Sequence, residues 1–167
     1  IDFISGSITD METVTRSVAG ADYVLHQAAL ASVQRSVDNP LASDAVNVRG
    51  TLNMLIAARD AGVKRFVFAS SSSVYGESEE LPKRETMPTG PISPYGVSKL
   101  AGEAYCMAFH AAYGMQTVAL RYFNVFGPRQ DPKSHYAAVI PLFAMALLNG
   151  TQPTVFGDGL QSRDFSY

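Results

Sequence analysis

Short apolar runs alternate along most of the chain with longer segments whose apolar residues recur at helical spacing. The runs predict strands at residues 23–26, 66–69 and 117–122. The spacing predicts helices at residues 44–61 and 94–113, and each is followed by a glycine that suits a helix end. This β-α-β-α-β order without hairpin turns predicts an α/β fold, a doubly wound parallel sheet with helices on both faces.

The pattern changes after Asn124. A loop is predicted at 127–132, a core helix over the apolar run 137–148, and a strand at 154–156 that ends in a turn. These elements predict a smaller lobe that begins near Ser134, giving domains 1–133 and 134–167.

The chain opens on the strand-like residues 1–4 with no initiator methionine. We therefore expect it to be a fragment of a longer protein.

Composition excludes several classes of function. Thirteen Lys and Arg against fifteen Asp and Glu give a net charge of −2, without the basic surplus that nucleic acids or anionic lipids require. The apolar run 137–148 is too short to cross a bilayer. A single cysteine, Cys106, forms no internal disulfide, which suits a cytoplasmic location, and we expect it in the core. The three histidines lack ligand spacing, so no metal is expected.

Tyr95 and Lys99 are four residues apart at the start of a predicted helix, so their side chains share one face. An adjacent ammonium favours the phenolate and would lower the pKa of the tyrosine, which gives a pair able to move protons. Serines 70–73 end the preceding strand at the rim where open α/β sheets bind ligands. The alternative is structural: a solvated lysine beside a partly buried tyrosine, with serines that cap the strand end.

Three ordered motifs decide between these interpretations. They are the run Ala-Ser-Ser-Ser-Ser-Val-Tyr-Gly at 69–76, Ser-Pro-Tyr-Gly-Val-Ser-Lys at 93–99, and Arg-Tyr-Phe-Asn-Val-Phe-Gly-Pro at 121–128. Together they resemble the extended short-chain dehydrogenase/reductase family, and within it the NAD-dependent nucleotide-sugar epimerases and dehydratases. The resemblance implies a Rossmann-like sheet whose N-terminal strands are missing here, the start of a smaller substrate-binding lobe, NAD as cofactor and a UDP-sugar substrate.

The resemblance also implies a role for individual residues. The catalytic group would be Tyr95, Lys99 and Ser71. The cofactor would be contacted by Ala28, Ala29, Leu30, Asn47, Ser70, Tyr95, Lys99, Tyr122 and Phe123. The substrate would be contacted by Ser71, Ser72, Ser73, Asn124, Val139, Phe156 and Arg163.

Two departures from the family pattern concern the cofactor. The glycine-rich G-x-x-G-x-x-G turn is absent from residues 1–167, so this chain alone is expected to bind NAD poorly and to be inactive. Ser7 stands where relatives carry an aspartate that accepts from adenine, and a hydroxyl accepts more weakly. The Gly157-x-Gly159 pair is interpreted as a turn, because no third glycine and no long helix follow it.

The expected reaction is C4 epimerisation of a UDP-hexose, UDP-GlcNAc or UDP-Glc, through a 4-keto intermediate. A 4,6-dehydratase is the first alternative, but such enzymes carry Asp-Glu where this chain has Ser72 and Ser73. The segment 127–141 most resembles bacterial epimerases that accept UDP-GlcNAc, and this resemblance implies the same substrate here. A non-catalytic NAD(P)-binding regulator is the second alternative, and it is disfavoured because both Tyr95 and Lys99 are present. The full-length protein is expected to be a homodimer.

Overall fold

The computed structural model describes residues 1–131 and 139–167, and these form two compact units, Ile1–Arg121 and Tyr122–Tyr167. The predicted lobe boundary between residues 133 and 134 falls in 132–138, outside the described residues. It therefore stays a prediction.

A three-stranded sheet organises the first unit. Its strands are β1 (Tyr23–His26), β2 (Arg65–Ser71) and β3 (Thr117–Tyr122), in that spatial order. β1 and β2 are parallel and in register from Tyr23 opposite Arg65 to His26 opposite Phe68. The central strand β2 is apolar and largely buried, as expected for a strand with neighbours on both sides. The predicted positions of these three strands are confirmed, and β2 is longer than predicted.

The two predicted helices are present. The first consists of a π-helical turn, Ala45–Arg49, that continues directly into α4 (Gly50–Asp60). The second is α5 (Pro94–Tyr113), whose first turn is capped by Ser93 Oγ. Both end where the sequence indicated, at Gly62 and Gly114, which have φ values of +69° and +67°. Such values favour glycine because a side chain would be strained there.

Three shorter helices were not predicted: α1 (Met11–Val18), α2 (Val33–Asp38) and α3 (Pro40–Asp44). The signal for α1 was present in the sequence, because Asp10 caps the helix by accepting from the backbone N–H groups of Glu12 and Thr13. The helices α2 and α3 have only six and five residues, too few for a helical period to stand out.

The core of the first unit lies where α1, α4 and α5 pack around the sheet. Its largest fully buried side chains include Phe66, Phe68 and Leu55. Cys106 is buried among them, as predicted, and burial raises the pKa of its thiol to about 12. α5 approaches β2 so closely at Gly102 that a Cβ there would overlap the Phe68 ring. This close approach brings the side chains of α5 to the end of β2.

In the second unit, the residues that the structure describes form a two-stranded parallel sheet and one helix. The strands are β4 (Asn124–Val125) and β5 (Phe165–Ser166), and the helix is α6 (Val139–Leu148). The part of the predicted helix at 137–138 lies outside the described residues.

Three predictions about secondary structure and burial are wrong. Residues 1–4 are not a strand, and neither are residues 154–156, because no described strand lies beside them to satisfy their backbone groups. α6 is not a core helix, since none of its residues is buried. The described strands of this unit, β4 and β5, have two residues each and offer little surface for a helix to pack against. The predicted turn at Asp158–Gly159 is confirmed, and Gly157 and Gly159 have φ values of +72° and +75°.

Candidate active site

The candidate site lies at the carboxyl ends of β1 and β2. β1 ends at His26 and leads into the loop that contains Ala28, Ala29 and Leu30. β2 ends at Ser71 and continues into a 3-10 turn, Ser72–Tyr75. Because the two strands are parallel, both segments leave the sheet at the same edge. The predicted cofactor loop and the predicted serine cluster therefore share this edge.

The start of α5 brings three polar side chains to that edge. Tyr95, Lys99 and Glu103 are spaced four residues apart, so they form one stripe along the helix. Gly96 allows the helix to come close, since a Cβ there would lie 2.9 Å from the Ser73 carbonyl oxygen. A larger residue at position 96 would push the stripe away from the serines.

Lys99 and Glu103 bind consecutive residues of β2. Lys99 Nζ donates to the carbonyl oxygen of Ala69 over 2.8 Å. The Glu103 carboxylate accepts a hydrogen bond from the Ser70 hydroxyl. Lys99, Glu103 and Ser70 are all buried, so these bonds form away from water, where they fix the helix and strand strongly against each other.

The phenol of Tyr95 is the third group of this stripe, and Ser71 influences its pKa. Burial raises the pKa of Tyr95 above its usual value of 10.0, and a hydrogen bond from the Ser71 side chain acts in the opposite direction. A hydroxyl that donates to the phenol oxygen favours the phenolate. This is why Ser71 lowers the pKa of Tyr95 while burial raises it. The predicted serine is thus near enough to influence the pKa of the predicted tyrosine.

Lys99 does not have the predicted effect on Tyr95. Its Nζ lies 5.7 Å from the centre of the Tyr95 ring, and its hydrogen bond goes to the backbone of β2. The expected net lowering of the Tyr95 pKa is wrong, because burial outweighs the other influences. Burial also lowers the pKa of Lys99 itself, from 10.5 to about 8. In the protein alone, burial therefore disfavours both the phenolate and the ammonium.

Ser71 is oriented by its neighbour Ser73. Its oxygen accepts from the Ser73 hydroxyl over 2.8 Å and from the Ser73 backbone N–H over 3.2 Å. With its lone pairs engaged, the Ser71 hydroxyl is left to donate its own proton, which fits the direction in which Ser71 lowers the pKa of Tyr95. Ser72 is partly exposed in the same turn.

Asn47 ties the cofactor loop to α5. Its Oδ1 accepts from the Leu30 backbone N–H over 2.8 Å, and its Nδ2 donates to Leu30 O at 3.3 Å and to Ser98 Oγ at 3.1 Å. Asn47 is 2% exposed, so all of its polar atoms depend on these partners. Asn47 therefore fixes the backbone of this loop through hydrogen bonds. In the same loop, Ala28 is exposed, and Ala29 and Leu30 are partly exposed.

Two titratable side chains at this edge of the sheet were not among the predicted site residues. The first is Glu103, which forms a bidentate ion pair with Arg121, with Nη2 to Oε2 at 2.8 Å and Nε to Oε1 at 2.9 Å. The second is His26, whose Nε2 lies 2.9 Å from the Thr51 hydroxyl. Burial, with a smaller effect of the Lys99 charge, lowers the His26 pKa to about 4. The spacing of Glu103 from Lys99 could have indicated its place on the stripe.

Four of the predicted substrate residues lie in the second unit. Val139, Phe156 and Arg163 line one groove of about 360 Å³. Arg163 donates to the Ser162 carbonyl oxygen and remains exposed, as does Phe156. Asn124 Nδ2 donates to the Asp164 carbonyl oxygen over 3.0 Å.

The remaining predicted cofactor residues, Tyr122 and Phe123, begin the second unit and are 40% and 46% exposed. Ser7 Oγ lies 2.8 Å from the Thr9 hydroxyl and is exposed.

No group of three His, Cys, Asp or Glu side chains in residues 1–131 and 139–167 is arranged to hold a metal ion. Within the same ranges, no helix combines the length and apolar character needed to span a bilayer. His135 lies outside the described residues.

A parallel sheet with a Tyr, Lys and Ser group at its carboxyl edge defines a Rossmann-fold protein of the dehydrogenase/reductase type. The NAD dependent epimerase/dehydratase family model matches residues 1–167, and the chain belongs to that family.

Similar solved structures and curated relatives agree with this assignment. UDP-N-acetylglucosamine 4-epimerase from Methanobrevibacter ruminantium, in complex with UDP-N-acetylmuramic acid, is 48% identical with a TM-score of 0.93, over 97% of this chain and 52% of that chain. UDP-glucose 4-epimerase from Thermus thermophilus, in complex with NAD, is 42% identical with a TM-score of 0.84, over 90% and 50%. The dTDP-glucose 4,6-dehydratase of Streptomyces antibioticus is 36% identical over 99% of this chain and 48% of the relative. The chain spans about half the length of the curated relatives it matches.

The family is NAD-dependent, and the residues at the edge of the sheet fit part of that cofactor. An ammonium carries three donors, and Lys99 makes one hydrogen bond within the described residues although it is 4% exposed. A buried ammonium with free donors suits the hydroxyl groups of a ribose. In the loop after β1, Ala28 is exposed and Ala29 is partly exposed, and both have small side chains.

Proposed function

We propose that this chain carries the proton-transfer site of an NAD-dependent enzyme that epimerises a UDP-hexose, UDP-GlcNAc or UDP-Glc, at C4. The observation that carries the proposal is the placement of the buried Lys99: its Nζ donates to the Ala69 carbonyl oxygen, two residues before Ser71, and lies 5.7 Å from the centre of the Tyr95 ring. The bound dinucleotide would supply redox chemistry at the sugar carbon, with a 4-keto sugar as intermediate.

The side chains divide the proton chemistry among them. Tyr95 takes the proton from the sugar 4-hydroxyl and later returns it. Ser71 donates to the phenol oxygen, which stabilises the phenolate, and it is aimed by Ser73. Lys99 holds the ribose with its free donors, and its charge favours the phenolate once both groups are ionised.

The serines after Ser71 favour epimerisation over 4,6-dehydration. Elimination of water needs an acid for the leaving hydroxyl and a base at C5, which dehydratases resembling this chain supply as Asp-Glu. Here the corresponding residues are Ser72 and Ser73, whose hydroxyls do not ionise near neutral pH. Ser73 is also engaged with Ser71. The dehydratase remains the second candidate because relatives such as that of Streptomyces antibioticus are dehydratases.

The test is an assay of the natural full-length protein with NAD⁺ and either UDP-GlcNAc or UDP-Glc. We expect the C4 epimer as product, and a 4-keto-6-deoxy sugar would instead identify a dehydratase. Tyr95→Phe removes only the hydroxyl and should lower kcat by on the order of 100-fold or more. A rate close to that of the wild type would remove Tyr95 from the mechanism. Tyr23→Phe is the matched control, since Tyr23 is 64% exposed on β1.

The wider predictions follow from the same proposal. Val139, Phe156 and Arg163 would bind the nucleotide part of the substrate, with the guanidinium opposite the diphosphate. Tyr122 and Phe123 would lie near the nicotinamide, and Ser72, Ser73 and Asn124 near the substrate. The full-length protein would be a cytoplasmic homodimer, with residues 1–167 alone inactive.

A further inference from the structure

We propose that Ser36 is a positioning residue for Tyr95: its hydroxyl oxygen accepts the Tyr95 backbone N–H and thereby fixes the start of α5 against α2. The inference rests on the proposed role of Tyr95 in proton transfer. Ser36 itself lies in α2, 59 residues before Tyr95 in the chain, and is fully buried.

The geometry of Ser36 assigns its hydrogen bonds unambiguously. Its hydroxyl donates to the Val33 carbonyl oxygen over 2.6 Å, so the oxygen is free to accept. Ser36 Oγ accepts a hydrogen bond from the Tyr95 backbone N–H, with an N–O distance of 2.9 Å. A backbone N–H cannot reverse its role, so Ser36 is the acceptor in this contact.

The first turn of a helix needs such acceptors from outside. The N–H groups at the start of a helix have no partner within it. In α5, Pro94 has no N–H, and Gly96 and Val97 donate to the side chain and carbonyl of Ser93. Tyr95 is thus the one residue of this turn whose N–H is satisfied by a distant element. Ser36 therefore links the backbone of the reacting residue to α2.

The carbonyl of Tyr95 is held as well. It accepts from Ser98 Oγ over 2.8 Å, and Ser98 Oγ in turn accepts from Asn47 Nδ2 over 3.1 Å. Both backbone groups of Tyr95 are fixed by buried polar side chains. A long side chain such as tyrosine converts a small backbone rotation into a larger shift at its hydroxyl, the group that the proposed proton transfer needs in place.

The chain offers a matched control for Ser36. Ser43 lies in the next helix, α3, and is 1% exposed, and its Oγ has no hydrogen-bond partner within the described residues. Ser36→Ala and Ser43→Ala therefore delete the same buried group. Only the first removes an acceptor for Tyr95.

The experiment measures kcat and KM for UDP-hexose epimerisation by the natural full-length protein with NAD⁺. Because Ser36 contacts no reacting atom, Ser36→Ala should lower kcat about tenfold and change KM less than about twofold. Ser43→Ala should leave both close to the wild type. Threonine and valine have side chains of nearly equal volume, but only threonine has a hydroxyl oxygen that can accept the Tyr95 N–H. The kcat of Ser36→Thr should therefore be several-fold higher than that of Ser36→Val.

A second readout does not depend on activity. Hydrogen exchange of the Tyr95 amide should be about tenfold faster in Ser36→Ala than in the wild type and unchanged in Ser43→Ala. Unchanged exchange, or equal kcat for the Thr and Val variants, would overturn the role of Ser36. If the wild type has no activity on either sugar, the proposed function fails, and the exchange experiment still decides whether Ser36 holds Tyr95.

Discussion

The buried ion pair between Glu103 and Arg121 should contribute far more to stability than an exposed pair of the same length. Glu103→Gln is the perturbation, because it keeps the shape of the side chain and removes its charge. In the wild type the carboxylate accepts from Ser70 and from two nitrogens of Arg121. An amide cannot accept with its nitrogen, so at least one of these bonds is lost and a donor faces the guanidinium.

The magnitude follows from burial. The Arg121 and Glu103 side chains are 18% and 8% exposed, and their closest N–O distance is 2.8 Å. Removal of one partner from a buried pair costs about 3 to 5 kcal/mol. Arg121 retains its position over the Tyr75 ring, 4.7 Å from the centroid, and a contact with the Glu85 carbonyl oxygen. We therefore expect the lower limit, about 3 kcal/mol, for Glu103→Gln.

Asp22→Asn provides the control. Asp22 and Lys64 are 2.9 Å apart, but their side chains are 63% and 66% exposed. An exposed pair contributes less than about 1 kcal/mol because water and salt screen it. Both pairs belong to the unit Ile1–Arg121, so both variants report on the unfolding of the same unit.

The assay is urea unfolding of the natural full-length protein and the two variants, with the free energy of unfolding extrapolated to water. Losses of about 3 kcal/mol for Glu103→Gln and below about 1 kcal/mol for Asp22→Asn are expected. Equal losses would show that burial does not set the contribution of the pair, and the reasoning would be refuted.

The remaining predictions concern the titrating groups of the site. The His26 pKa is lowered from 6.5 to about 4, so the unfolded chain binds more protons than the folded chain between these pH values. The free energy of unfolding should therefore fall by about 3 kcal/mol as the pH drops through this window. His26→Gln should flatten this pH profile, as measured by urea unfolding. Lys99→Met should stabilise the protein without cofactor near neutral pH by about 1 to 3 kcal/mol, since it removes a buried charge that burial disfavours. The stability of the wild type should rise with pH between 8 and 10.5, and a less stable Lys99→Met would contradict this account. Ser71→Ala should raise the Tyr95 pKa further, as followed by ¹³C NMR titration of the phenol, and an unchanged value would remove Ser71 as its donor.

The sequence predicted best those elements whose signals are local. α5 was predicted at its observed bounds because Ser93 and Pro94 start it and Gly114 ends it. β1 and β3 were found because each is a short apolar run between polar segments. These signals depend on the preferences of neighbouring residues and need no knowledge of the rest of the fold.

The failed predictions depended on partners that a local pattern does not specify. Residues 1–4 and 154–156 have strand-like composition, but a strand forms only where another strand satisfies its backbone. The apolar run of α6 was expected in a core, and burial of a helix depends on how much chain surrounds it.

The candidate site shows the same division. Tyr95, Lys99 and Ser71 were predicted because they belong to motifs, and the structure gathers them at one edge. Ser36 was missed because its hydrogen bond goes to an amide 59 residues away, and no local or periodic pattern in the sequence indicates such a bond. The roles of the motif residues in catalysis stay predictions until the variants are assayed.

Burial gives Ser71 particular weight in the proposed chemistry. It raises the pKa of Tyr95 and lowers that of Lys99, so the protein alone favours the neutral form of each group. Within the described residues, the hydrogen bond from Ser71 is the interaction that favours the phenolate. The same exclusion of water strengthens any charge interaction formed afterwards, since the local dielectric constant is low. A site of this kind ionises only when the charges are brought together in the correct geometry, which is why the residues that hold Tyr95 in place matter as much as those that share its proton.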